Sequence, residues 1–254
     1  MPLARTPDSP LAARFIASPN HGERRAPGPP NILILHYTGM PTGEAALRQL
    51  LDPASEVSAH YLIWEDGAID QLVAEDRRAW HAGRSRWKGE TDINSASIGV
   101  EMVNPGHDSG SPAFPDSQIA ATIALARDLC SRWRIRPERV LAHSDVAPAR
   151  KRDPGEAFPW ATLWRAGVGH WSEPAPLNGG PFFAHEEEGS PVRALQAMLS
   201  LYGYGLELTG IYDRHTRFIV AAFQRHFRPM RVDGEADSST VATLKALIEG
   251  LGRG

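Results

Sequence analysis

Apolar positions along this chain recur at two different periods, and the switches between them mark out its elements. Residues 31–37 (NILILHY) form a short continuous apolar run ending in histidine, the pattern of a buried strand. Residues 44–51 read as a short helix. Residues 58–64 (SAHYLIW) and 68–73 (AIDQLV) flank Glu65-Asp66-Gly67, a hairpin turn signal. Residues 97–103 (SIGVEMV) predict another strand. Asp116 and Ser117 suit the N-cap of the next helix, along which Ile119, Ile123, Ala126, Cys130 and Trp133 repeat at helical spacing and define an apolar face. Residues 139–142 make a short strand before His143, and residues 159–166 a small helix. Hairpins and crossovers together predict an α/β fold, a mixed central sheet flanked by helices.

The texture changes on either side of this region. Residues 1–30 are rich in Pro, Arg and Ala without periodicity and read as an irregular arm. Residues 172–190 carry Pro, Gly and the acidic run Glu186–Glu188, the signature of a linker with a solvated charged face. Beyond it, Leu195, Leu199 and Tyr202 space as one helix face. Thr216, Val220, Phe223 and Phe227 form a second, and Val241, Leu244 and Ile248 a third. Gly210 and Asp233-Gly234 punctuate them. Residues 191–254 thus predict a small three-helix C-terminal domain, close to the lower size limit for a self-supporting core. The expected organisation is an arm at 1–30, a main domain at 31–171, a linker at 172–190 and a helical domain at 191–254.

Composition narrows the chemistry. Hydrophobic residues make up 42% of the 254 positions and charged residues 22%, with a net charge of -3. That near balance argues against a nucleic-acid partner, which leaves a basic stripe. The single Cys130 excludes an internal disulfide framework, so the fold rests on its core or on a metal. It falls on the helix face and reads as a small apolar residue. No stretch is long and apolar enough to span a bilayer. The N-terminal 30 residues lack the apolar core of a signal peptide, so the expected location is cytoplasmic, with a periplasmic location or non-classical export as the alternative.

Two histidines and an aspartate stand out. His36 ends a strand, His143 follows another, and Asp153 lies ten residues further on. Two imidazoles and a carboxylate are the ligand types of a catalytic zinc site, which keeps a fourth position for water. Spacing alone leaves them open to a structural role, because a histidine at a strand end is often structural and no HExxH signature is present. Glu101 is the acidic residue of an otherwise apolar strand. Facing a dry pocket, it would have a raised pKa and could shuttle a proton. Lys151 could stabilise an oxyanion beside a metal, or be a surface lysine in a charged loop.

Five ordered segments carry a resemblance. They are 35–38 (LHYT), 57–63 (VSAHYLI), 79–83 (AWHAG), Asn94 with 97–101 (SIGVE), and 142–145 (AHSD) with 150–155 (RKRDPG). Over residues 36–160 the chain resembles the zinc-dependent N-acetylmuramoyl-L-alanine amidases, the type 2 amidase family that includes the AmpD and AmiD enzymes. The resemblance implies one zinc per chain on His36, His143 and Asp153, with Glu101 as general base or acid and Lys151 beside the tetrahedral intermediate. It implies cleavage of the amide joining N-acetylmuramic acid to L-alanine, in peptidoglycan or in anhydromuropeptides. His81 and Trp80 are candidate substrate contacts, as are His60 and Asn94, although His60 equally suits a core role and a tryptophan such as Trp80 is more often part of the core. His21, His107, His170, His185, His215 and His226 carry no assignment.

The C-terminal region resembles the small three-helix peptidoglycan-binding domain through Leu195-Gln196, Gly203-Tyr204, Thr216, Phe223-Gln224, Asp233-Gly234, Thr240 and Leu244. It departs from that pattern at Thr209-Gly210, where Asp-Gly is the usual pair. A second module raises avidity for a polymer without adding chemistry. Two alternatives share the fold: a non-catalytic peptidoglycan sensor, which typically loses a zinc ligand, and an exported lytic effector with the same chemistry. All three ligand positions are filled here, which favours the enzyme.

Overall fold

The computed structural model describes residues 5–25, 28–177, 181–183 and 186–251. Parts of the expected arm and linker, and His185, lie outside the described residues. The short edge strands β1 (Arg14–Phe15) and β2 (His21–Glu23) precede the central strand β3 (Ile32–Tyr37). Then come α1 (Gly43–Leu51), the hairpin β4 (Tyr61–Ile63) and β5 (Ile69–Gln71), and β6 (Arg77–Ala79). A turn of helix, α2 (Ile93–Ala96), leads into β7 (Ser97–Met102). The long helix α3 (Asp116–Trp133) is followed by β8 (Val140–Ala142), the four-residue α4 (His143–Val146) and α5 (Trp160–Arg165).

The six-stranded sheet runs β1-β5-β4-β7-β3-β8. Its β4–β7–β3–β8 part is parallel, the β4/β5 hairpin is antiparallel, and β1 adds to the edge in parallel, so the sheet is mixed. The unbroken apolar run of β3 follows from its place between two parallel neighbours with both faces covered. At the hairpin, Gly67 takes φ 89° and Asp66 Oδ1 accepts from the Ala68 N–H, so the Glu65-Asp66-Gly67 signal does what its residue types allow.

Two local expectations change. Ile119 and Ala126 are buried on α3 as expected, but Gln118, Thr122, Leu125 and Leu129 share that face, while Ile123, Cys130 and Trp133 lie only partly buried at its margin. Gln118 escapes an apolar count because it is polar, yet its amide donates to the Ile63 and Val103 carbonyls and locks the helix to the sheet. The helix starts after Pro115, and Ser117, expected as a cap, donates instead to the Glu65 carbonyl. Burial pushes the Cys130 thiol up to about 12, which keeps it protonated and apolar in character.

The arm expected to be irregular is tied down. β1 pairs with β5, β2 with β6, Arg14 pairs with Asp70 at 2.6 Å, and Ser9 donates to Asp128. Arg24 donates into the interior, to the Glu75, Ser95 and Ser97 carbonyls. Strands of two or three residues are too short to show a period, so the pattern missed them.

The C-terminal part holds α6 (Ser190–Tyr202), α7 (Arg214–Phe227) and α8 (Ser238–Gly250). Asp213 and Asp237 cap α7 and α8 through the N–H groups of Thr216 and Thr240. Within the expected linker, β9 (Pro181–Phe183) pairs antiparallel with β10 (Ala236–Asp237), and the backbone of Glu186 and Glu187 bonds to Tyr212. The three helices share one apolar core with the sheet region. Trp87, fully buried, lies edge-on to Tyr204 and Tyr202. Gly203, at φ 152°, lies flat against it, and a Cβ there would come within 2.5 Å of the indole.

Candidate metal centre

The site forms where parallel strands end, the usual place for a ligand crevice in an α/β sheet. Register does most of the assembly. Leu35 pairs with Ala142 across β3 and β8, so the next residues, His36 and His143, emerge side by side. His36 pairs with Glu101 across β3 and β7, which brings the carboxylate to the same rim. Asp153 arrives from the loop after α4, held by the Ser144 N–H donating to its carbonyl.

Three atoms converge. His36 Nδ1 and His143 Nδ1 lie 2.9 Å apart, and each is 3.0 Å from Asp153 Oδ2. All three side chains are buried. A single proton can join one pair of such atoms but not all three. Ligands about 2.0–2.2 Å from one tetrahedral ion lie about 3.3 Å from each other, close to this triangle. The donor set therefore fits a metal ion.

Hydrogen bonds behind the triangle set the tautomers. Ser97 Oγ donates to the Ile93 carbonyl, so it accepts from His81 Nε2–H at 3.1 Å. His81 Nδ1 then accepts from His36 Nε2–H at 3.0 Å. His143 Nε2–H donates to the Ala82 carbonyl at 3.2 Å. Both Nδ1 lone pairs are thereby left facing the triangle, the outer-shell pattern that orients metal-binding imidazoles. Gly99 makes room for it, since a Cβ there would meet the His81 ring at 2.5 Å.

Electrostatics agree. Burial, then the neighbouring His143, lowers His36 to about 4, and burial keeps His81 neutral as well. Burial pushes Asp153 up, but the two imidazoles beside it, His143 first and then His36, outweigh that and hold the carboxylate well below its ordinary range. Glu101 goes the other way: burial and then Asp153 raise it well above the usual carboxylate value. Its Oε1 is 4.0 Å from His36 Nδ1, and its buried Oε2 has no hydrogen-bond partner among the described residues.

A cleft of about 310 Å³ opens over the triangle. Its walls bring together His143, Asp153, Glu101, Lys151, Trp80 and His81 from the sequence-derived set. His60 and Asn94, grouped by sequence with substrate contacts, instead sit behind the wall. His60 is fully buried, accepts from the Gly99 N–H and contacts the Arg77 carbonyl. Asn94 Oδ1 accepts from the N–H groups of His81 and Ala82 and shapes their loop. His81 borders the cleft, but both its ring nitrogens are engaged, so it supports His36. Sequence reasoning missed Tyr37, whose hydroxyl meets His107 Nδ1 at 2.8 Å on the cleft wall, and Arg150, which pins the Ala82 and Arg84 carbonyls. Tyr37 follows His36 directly and Arg150 precedes Lys151, both within the matched segments, and adjacency was the available signal. Of the other unassigned histidines, His226 meets Asp145, His170 meets Tyr202 and His215 meets the Gly205 carbonyl.

Comparison with known proteins gives the same picture. Residues 26–156 match the N-acetylmuramoyl-L-alanine amidase family model, and residues 188–244 match a peptidoglycan binding domain. The chain is 39% identical over 236 residues to the N-acetylmuramoyl-L-alanine amidase AmiD of Escherichia coli, covering 87% of this chain and 83% of that protein. A solved structure of the E. coli AmiD complex with the substrate anhydro-N-acetylmuramic acid-L-Ala-D-gamma-Glu-L-Lys superposes with a TM-score of 0.76 at 37% identity, covering 91% of this chain and 93% of that one. AMPDH3 of Pseudomonas aeruginosa in complex with anhydromuramic pentapeptide gives 0.73 at 33% identity, covering 90% and 92%. With a family model over half its length and a relative matched nearly end to end, this chain belongs to the N-acetylmuramoyl-L-alanine amidase family of hydrolases.

Proposed function

We propose that this enzyme is a zinc-dependent amidase that hydrolyses the bond between N-acetylmuramic acid and L-alanine in anhydromuropeptides and peptidoglycan, in cell-wall turnover and recycling. The observation that carries the reading is the triangle of His36 Nδ1, His143 Nδ1 and Asp153 Oδ2 beside a Glu101 oxygen that has no hydrogen-bond partner among the described residues. Relatives whose structures hold anhydromuramyl peptides support the substrate class.

His36, His143 and Asp153 would hold the ion, two neutral imidazoles and one carboxylate leaving a position open to the cleft. When bound, zinc supplies Lewis acidity toward the scissile carbonyl and activates water near neutral pH. Glu101 Oε2 takes a proton from the attacking water and returns it to the leaving L-alanine amine. Its raised pKa suits both halves of that task. Lys151 brings a positive charge to the cleft wall, where negative charge develops on the carbonyl oxygen. His81 and Ser97 keep His36 in the tautomer whose lone pair faces the ion. The intact ligand set and Glu101 favour this enzyme over a non-catalytic sensor of the same fold. The peptidoglycan binding match favours activity on polymer as well as on soluble fragments.

The test is cleavage of an anhydromuramyl peptide by the purified chain before and after chelation, with zinc then restored, alongside digestion of purified sacculi. Activity lost to the chelator and regained with zinc is the expected result. Zinc bound without cleavage would replace the enzyme with the sensor.

A further inference from the structure

The turn that presents His143 is gripped from the C-terminal side of the molecule. Asp145, two residues into α4, is fully buried. Its Oδ2 accepts from the Ala142 N–H at 2.8 Å, closing the turn on itself, and from His226 Nδ1 at 2.7 Å. Its Oδ1 accepts from the Tyr204 hydroxyl at 2.7 Å. Two of these three donors thus come from the C-terminal helical part, Tyr204 just after α6 and His226 on α7. Neither can drift. The His226 ring stacks on Trp160 at 3.7 Å, and Tyr204 packs edge-on to Trp87 at 5.0 Å.

The same turn serves both ends of the ligand set. It begins with His143, and its Ser144 N–H holds the Asp153 carbonyl at 3.1 Å. If Asp145 lost a donor, its carboxylate would rotate toward another group or draw water into the interior, and the turn would follow. Ligand geometry tolerates little of that, on the order of 0.5 Å and 10–20°.

We propose that Tyr204 and His226 are positioning residues for the metal centre: by saturating Asp145 they fix the His143 turn, so the C-terminal part sets metal affinity and turnover in addition to any grip on polymer. This rests on the zinc reading above. It differs from avidity in a checkable way, because its effect persists on a substrate too small to engage a second module.

The full-length chain is compared with Tyr204→Phe, His226→Leu and His226→Gln. Zinc affinity is read by competition with a chromophoric chelator, and kcat and KM on a soluble anhydromuramyl tripeptide. Tyr204→Phe and His226→Leu are expected to weaken zinc binding by about 10–100-fold, as for other outer-shell partners. At saturating zinc, kcat falls while KM holds. His226→Gln, whose amide N–H replaces the lost donor, recovers most of both. Variants that lose only thermal stability, with zinc affinity and kcat unchanged, would overturn the proposal and leave the cluster as structural packing. Should Tyr204→Phe fail to fold, the His226 pair decides, and equal zinc affinity for Leu and Gln overturns it. A wild-type chain that binds no zinc removes the metal reading together with this one. Normal wild-type binding with unaffected variants removes this one alone.

Discussion

Two buried aspartate–histidine clusters flank the same short turn, and their partners' protons are arranged in opposite senses. On one side, Asp153 Oδ2 faces two imidazole lone pairs, and a single proton could join only one pair of these three atoms. On the other, Asp145 faces three donors, a backbone N–H, a phenol and an imidazole N–H. Both set a buried aspartate against imidazole. What separates the candidate metal centre from a structural strut is the direction of the partners' protons, and that is set a layer further out. Ser97 and the Ala82 carbonyl turn the lone pairs of His36 and His143 inward, whereas His226 presents its N–H.

Substitutions can break this contrast in order of severity. Asp153→Ala removes a ligand, so zinc stoichiometry under mild chelation should fall toward zero and turnover toward background, measured by metal analysis beside the amidase assay. An unchanged stoichiometry would take Asp153 out of the ligand set. Glu101→Ala should keep its zinc and lose about 10²–10⁴ in kcat, the usual weight of a general acid–base group. Retained turnover would put the proton shuttle elsewhere. On the strut side, Asp145→Ala leaves three buried donors unpaired at about 1–3 kcal/mol each. Denaturant unfolding of the metal-free chain should show a loss of several kcal/mol, and a loss below about 1 kcal/mol would mean water replaces the carboxylate at little cost. His81→Ala tests the layer between, with an expected drop of about 10–100-fold in zinc affinity.

The smallest effect concerns pH. Burial lowers His60 to about 3 and His36 to about 4, both below their ordinary 6.5. The unfolded chain therefore binds more protons than the folded one between these values and 6.5. The stability associated with the neutral rings is fully present above 6.5 and is lost as pH falls toward 3, at about 1.4 kcal/mol per pH unit for each ring. His60→Gln, which does not titrate, should reduce the slope of unfolding free energy against pH in the zinc-free protein by one proton's worth between pH 6 and 4.5. An identical slope would show that His60 protonates without cost.

The contrast was only half visible in the sequence. Local order determined the strand at residues 32–37, the hairpin at Gly67, the strand bearing Glu101 and the three C-terminal helices, because continuous apolar runs, turn residues and helical spacing each act within a few positions of the chain. The residue types of the candidate metal centre were legible too, through the segments that carry the family resemblance. Tertiary structure decided the rest. The arm joined the sheet through strands too short to carry a period. Gln118 proved to be an interior residue because two carbonyls far along the chain receive its amide. His60 and Asn94 left the list of cleft contacts because their partners are backbone groups that only folding brings near. Tyr204 and His226, 59 and 81 residues from Asp145, came to bear on the ligand turn for the same reason. Hydrogen-bond satisfaction of a buried polar atom depends on groups distant in sequence, and no local pattern records which of them will meet.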